Sequence, residues 1–164
     1  MRGAIGLVAL GLILTGGRTL SGQTSSKRVI SLAAADKIAA AAEAEARKRG
    51  STVVIVVVDD GGYPILLRRL DDTQVASVDV GIGKARTAAI FRRPSKVFED
   101  QVRNGRLAAL ALPGATPLQG GVPLTFDGKV IGAIGVSGNT PQEDEDIAMA
   151  GAAVAHAALR SPSR

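Results

Sequence analysis

The chain has 164 residues and a formal net charge of +5, from 20 Lys and Arg against 15 Asp and Glu, and this length predicts one domain. Its aromatics are three Phe and one Tyr, with no Trp and no long Lys/Arg run; that argues against single-stranded nucleic acid as a partner, because such binding stacks bases on aromatic rings. The absence of Cys excludes disulfides, thiolate metal sites and a lipid-modified N-terminal Cys.

Met1-Arg2 precedes an uncharged apolar run from Gly3 to Gly17, and Arg18 to Gln23 then turns polar. This pattern predicts a secretory signal peptide over 1–22, cut after Gly22 or, alternatively, after Gly17. The uncharged run falls short of the ~20 residues of a spanning helix, so no stable membrane span is expected; an uncleaved N-terminal anchor is the other reading. A secreted or periplasmic location follows. Loss of Arg2 and Arg18 with the leader takes the net charge from +5 to +3.

Residues 23–30 read as a polar lead-in and 31–160 as the folded domain. Ser31 can cap a helix from Leu32 to Arg49, stopped by Gly50. Its apolar face is Leu32, Ala35, Ile38, Ala39, Ala42 and Ala46, and Arg47-Lys48-Arg49 sits favourably at the negative end of the helix dipole. Val53 to Val58 is β-branched and reads as a buried strand. Asp59-Asp60-Gly61-Gly62 is a hairpin turn by composition, and Tyr63 to Arg69 is the return strand, with Pro64 suiting a sheet edge. Asp71-Asp72-Thr73 opens a second helix that ends before Pro94 and carries Gly81 and Gly83, each costing about 1 kcal/mol unless a close approach offsets it. Ser95 caps a short helix from Lys96 to Asn104. Leu107 to Leu112 fits either a strand or a helical turn. A breaker-rich loop from Pro113 to Gly121 leads to a second hairpin, Val122–Thr125 and Val130–Val136 around Asp127-Gly128. A last helix runs from about Gln142 to Leu159. Two hairpins among helices predict an α+β domain, an antiparallel sheet of about five strands flanked by helices.

The segment Gly135-Val-Ser137-Gly138-Asn139, between a strand and a helix, resembles a serine nucleophile elbow but has Asn in place of the second Gly. The base such a serine needs is missing, because the lone His156 lies about 25 Å along the following helix; Lys84 or Lys129 is the alternative base. Otherwise Ser137 caps or orders the turn. No phosphate-loop signature is present, and Glu143-Asp-Glu-Asp146 at the next helix start would repel a phosphate. Those carboxylates fan out around a helix, so they compensate its dipole and bind no metal. Arg68, Arg69, Lys84, Arg86, Arg92 and Arg93 either hold carboxylates, from a small acid or from porphyrin propionates, or form a solvated face. Lys84 and Thr87 fall near the apolar stripe of their helix and point inward or across a subunit interface.

Several segments stand in the order seen in the GlcG/HbpS family. They are Leu32-Ala-Ala-Ala-Asp-Lys-Ile38, Val56-Val-Val-Asp-Asp-Gly-Gly62, Arg69-Leu-Asp71, Lys84-Ala-Arg-Thr-Ala-Ala-Ile-Phe91, Arg93-Pro-Ser95, Pro113-Gly114, Gly120-Gly-Val-Pro123, Ile131-Gly-Ala-Ile-Gly-Val-Ser-Gly138 and Asp144-Glu145. The chain resembles this family of haem-binding-like domains, also found at the C-terminus of PduO-type proteins, from about Ser31 to Ala152. The resemblance implies an antiparallel sheet flanked by helices and a homo-oligomer, an octamer in the extracellular haem-binding members. It implies haem as the cofactor, with roles in haem or iron handling or redox sensing. Other members sit beside glycolate or diol metabolism.

The early histidines that ligate haem in some relatives are missing between Thr24 and Arg49. A haem site here therefore takes His156 as axial ligand, a weak ligand such as Thr, or no strong axial bond. The resulting expectation is an exported, oligomeric protein that binds haem or a small ligand. Its ligand-binding set is Arg69, Lys84 and Thr87 for an acid, with Gly120, Gly121, Ser137 and Gly138 of the shared motifs. The alternative is a cofactor-independent enzyme or accessory protein acting on a small carboxylated or hydroxylated, glycolate-like metabolite, with Lys84 or Glu145 as the acid/base group. A third reading is an assembly module with no ligand.

Overall fold

The computed structural model describes residues 27–160; the expected signal peptide and the first part of the lead-in lie outside them. In chain order the elements are α1 (Leu32–Arg49), β1 (Val54–Asp59), β2 (Pro64–Arg69), α2 (Ser77–Ile90), α3 (Lys96–Arg103), a 3-10 turn (Leu107–Ala111), β3 (Gly121–Phe126), β4 (Lys129–Ser137), α4 (Pro141–Ala153) and α5 (Ala155–Arg160). The strands pair antiparallel in the order β2-β1-β4-β3. The fold is α+β as expected, with four strands among the described residues where about five were anticipated. The ambiguous Leu107–Leu112 segment is the difference. It closes into a 3-10 turn with Leu107 and Leu110 in solvent and only Ala109 buried, and Pro113 behind it lacks the N–H a strand ladder would use.

β1 explains the layering. Every residue from Val54 to Val58 is buried, so the strand is covered on both faces. Val53, Ile55 and Val57 point to one face, which α1, α4 and α5 cover with Ile38, Ile147 and a row of alanines. Val54, Val56 and Val58 point to the other, where α2 lies with Ala85, Ala88 and Ala89. Alternation with period two sorts one valine run between two cores.

Helix α2 lies very close to the sheet because Gly135 of β4 presents no side chain to it. A Cβ on Gly135 would sit 2.4 Å from the Gly81 carbonyl oxygen and 2.6 Å from the Ala85 nitrogen. Both glycines within α2 also have neighbours: a Cβ on Gly83 would collide with Thr116, and one on Gly81 would touch Val54 and Val56 at ordinary distance. The helix propensity lost at these positions is thus exchanged for a close approach. Both outer strands carry a proline, Pro64 in β2 and Pro123 in β3.

Several boundaries differ from expectation. Leu32, placed on the apolar face of α1, is 61% exposed, and Ala34 is buried in its stead. α2 begins at Ser77, because Asp72 is in the left-handed region (φ 62°) and the Thr73 hydroxyl donates back to the Leu70 carbonyl. Ser95 does not cap α3; its hydroxyl donates to the Leu118 carbonyl (2.6 Å) and accepts the Gly121 N–H (2.8 Å). The last helix breaks at Val154, whose N–H turns to the Gly151 carbonyl three residues back, and α5 resumes at Ala155. Ser31 and Gly50 bound α1 as the sequence predicts.

Replacing Gly135 by Ala is expected to destabilise the fold by at least about 1–3 kcal/mol through overpacking. Gly105, which unlike Gly135 is in the left-handed region (φ 89°), has open space around it, so Gly105→Ala is expected to cost only about 1–2 kcal/mol of conformational strain. Urea unfolding of the two variants checks the order.

Candidate functional site

A buried polar cluster lies where β4 ends. Lys84 on α2 and Asp144 on α4 approach from opposite faces of the sheet and meet at 2.7 Å, and the same ammonium donates to the Val136 carbonyl at 3.0 Å. They are 4% and 2% exposed. The passage that lets them meet is made by Gly120 and Gly121. A Cβ on Gly120 (φ 124°) would come within 2.7 Å of the Val136 oxygen and 3.0 Å of the Lys84 nitrogen, and one on Gly121 within 2.2 Å of the Lys84 oxygen. Asp144 also accepts the Asn139 N–H at 3.0 Å, and the Asn139 side chain donates to the Ser51 hydroxyl. Burial pushes the Asp144 carboxyl above the ordinary carboxylate range, with the Lys84 ammonium working against that rise.

The acidic run at the start of α4 fans out, as the helical geometry requires. Glu143 forms a capping box with Thr140, Asp144 is the buried partner of Lys84, Glu145 accepts from the Gln119 amide, and Asp146 pairs with Arg49 at 3.1 Å. Dipole compensation accounts for the first turn but missed the ion pair. A signal for it exists in the sequence: Asp144, Ile147, Ala148 and Gly151 stand at i, i+3, i+4 and i+7, and all are buried.

Lys84, Gly120 and Gly121 are thus brought together, with Ser137 and Gly138 beside them. Ser137 is the buried last residue of β4, while Thr140 rather than Ser137 caps the following helix. Thr87 points inward; its hydroxyl donates to the Gly83 carbonyl and accepts the Thr116 N–H, each at 2.7 Å, pinning the breaker-rich loop to α2. Arg69 stands apart on the edge strand, opposite Val54, with its guanidinium on the Thr73 carbonyl at 2.8 Å. The enclosed Lys84 ammonium and the engaged Glu145 carboxylate serve as ties between elements.

A second arrangement lies at the surface, on the α1/α4/α5 face. His156 on α5 is exposed, and its ring stacks on Phe126 with centroids 5.5 Å apart and planes 26° apart. The Arg28 guanidinium lies 4.7 Å from the centre of the same Phe ring. Arg28, Val29, Phe126, Ile131 and Leu159 line a groove of about 110 Å³ beside it. Imidazole is a ligand type for haem iron, aromatic and aliphatic walls suit a macrocycle face, and a guanidinium suits a propionate. The residues fit such a group chemically. The groove is smaller than the ~300–1,000 Å³ of enclosed ligand pockets, so on its own it is too small to enclose a whole macrocycle.

Residues 30–153 match a family model described as haem degrading protein HbpS-like. The chain is 45% identical over 112 residues to protein GlcG of Escherichia coli K12, covering 68% of this chain and 84% of the relative. A crystal structure of a double mutant of Streptomyces reticuli HbpS superposes with a TM-score of 0.75 at 31% identity, covering 93% of this chain and 98% of that one. A PduOC:haem complex superposes with a TM-score of 0.70 at 27% identity, covering 77% and 94%.

Removing one partner of the Lys84–Asp144 pair strands the other charge out of water, so Lys84→Met is expected to cost about 3–5 kcal/mol. The double variant Lys84→Met/Asp144→Leu is expected to recover most of that loss, read as the coupling in a urea-unfolding cycle. With its folded pKa above the ordinary value of 3.8, Asp144 holds its proton more tightly folded than unfolded. Its own contribution to stability is full below that ordinary value and is lost as pH rises through the folded pKa. In Lys84→Met the opposing charge is gone, and the Asp144 carboxyl-carbon NMR signal is expected to titrate at higher pH than in the native chain.

Proposed function

The chain belongs to the HbpS-like family, and from that premise we propose that it is an exported, oligomeric haem-binding protein that holds haem in the groove lined by Arg28, Phe126 and Leu159, next to His156. The observation that carries the reading is the exposed imidazole stacked on Phe126 under the Arg28 guanidinium. The family's description and the haem complex of a structural relative support it. In this arrangement His156 would supply a nitrogen to the haem iron, and Phe126 holds the plane of the imidazole. Arg28, also within 3.7 Å of Asp127, offers its remaining donors to a propionate. Haem would bring iron-centred electron transfer or oxygen chemistry, which suits a role in haem handling or redox sensing.

The small volume of the groove supports an oligomer in which a second copy closes the open side. Leu107 and Leu110 of the 3-10 turn and Leu118 of the loop that follows, all exposed, support association of copies, because side chains of this kind gain from removal from water. The reading as an enzyme on a small acid with Lys84 or Glu145 as base has less support, since both groups are engaged within the fold.

Hemin titration tests the proposal. The native chain is expected to give a saturable Soret shift, and His156→Ala to weaken it by at least about tenfold, equivalent to about 1.4 kcal/mol. Equal binding by native and His156→Ala chains would sink the assignment of the site. No saturable shift in the native chain would sink the haem reading as a whole.

A further inference from the structure

Arg86 is held by two turns yet matched by no acceptor. It lies on α2, on the sheet face opposite α5, and is half-buried. Its Nε–H is buried without a hydrogen-bond partner, the one cationic nitrogen in that condition among the described residues. Other enclosed or half-exposed arginines are served differently: Arg68 reaches both Asp36 and Glu43, and Arg49 reaches Glu45 and Asp146. The acids of the neighbouring turn are committed elsewhere. Asp59 accepts the N–H groups of Gly61 and Tyr63, and Asp60 pairs with Lys27 at 2.6 Å.

Two glycines in left-handed turns pack closely against the Arg86 side chain. A Cβ on Gly62 (φ 81°) would fall 2.6 Å from Arg86 Cγ, and one on Gly114 (φ 76°) would fall 3.4 Å from Nε and 3.9 Å from one terminal nitrogen. Tyr63, 64% exposed, lies beside the same side chain, with its ring centre 5.8 Å from the guanidinium carbon. A buried cationic donor left unmatched is costly, and a planar guanidinium is satisfied most fully by two parallel bonds to one carboxylate.

We propose that Arg86, Tyr63 and the Gly62 and Gly114 turns form a binding site for a small aliphatic carboxylate. The carboxylate takes the guanidinium edge that includes Nε–H, and its carbon chain lies along the Tyr63 ring. Because the Gly114 turn covers Nε, binding displaces that turn. The site is independent of the haem groove, which lies on the other face of the sheet.

The test is an NMR titration of the isotope-labelled full chain with sodium acetate and sodium propionate, against sodium chloride at equal ionic strength. Saturable shifts of the Arg86 Nε–H and Gly114 amide signals with the carboxylates, absent with chloride, are expected. Arg86→Lys is expected to weaken the response by at least about tenfold, while its hemin titration stays native. Tyr63→Ala, at an exposed position, provides a second variant should Arg86→Lys fail to fold, and it too is expected to weaken propionate binding. Unmoved Nε–H and Gly114 signals, or equal shifts with chloride, would overturn the proposal. So would an Arg86 signal that shifts on dilution of the protein, because a carboxylate of a second copy would then be the partner.

Discussion

Lys84 and Asp144 join across the end of the sheet, out of contact with water, and the two helices that carry them cover opposite faces. Neither charge is stable there alone, since desolvation costs several kcal/mol per ion. Together they require a narrow set of features. Gly120 and Gly121 open the passage, the β4 carbonyl at Val136 takes one ammonium proton, and the Asn139 N–H takes one carboxylate oxygen. The start of α4 and the middle of α2 are thereby placed relative to the same strand end. A pair of well-packed apolar side chains could give equal stability, but it would tolerate sliding that a 2.7 Å ion pair does not.

The two faces of the sheet are packed on different principles. On the α1/α4/α5 face, Ile38, Ile55, Ile134 and Ile147 fill depth beside a row of alanines. On the α2 face no buried isoleucine intervenes, and Gly135 with the alanines of α2 brings helix backbone against strand. The first face ends in a surface groove with an imidazole and an aromatic ring. The second ends in a guanidinium between two turns. Each candidate site sits where the packing style of its face runs out and leaves a polar group at the rim.

The alternation of the valine run, the two Asp-Gly-containing turns and the Ser31 and Gly50 caps made most of the fold legible in the sequence, because each is local. The ends of α2 and the break at Val154 were not, since they depend on backbone dihedrals at Asp72 and on an i→i+3 bond to Gly151. Within the candidate sites, Lys84 reads as inward-facing from its helical stripe. Its partner was hidden in a run of four acids whose shared location at a helix start already had an explanation. Phe126 and Arg28 joined His156 only through tertiary contact, which no spacing encodes. The unmatched state of Arg86 is a property of what does not surround it, and a sequence has no way to register that.

The prolines of β2 and β3 have a consequence for how copies of this chain can meet. Each removes one N–H from an outer ladder of the sheet, where an incoming strand would pair. A sheet running continuously from one molecule into the next is thereby discouraged at both borders. Association is left to side-chain surfaces, whose contacts are reversible and whose number is set by shape, and the route toward open-ended fibres is narrowed.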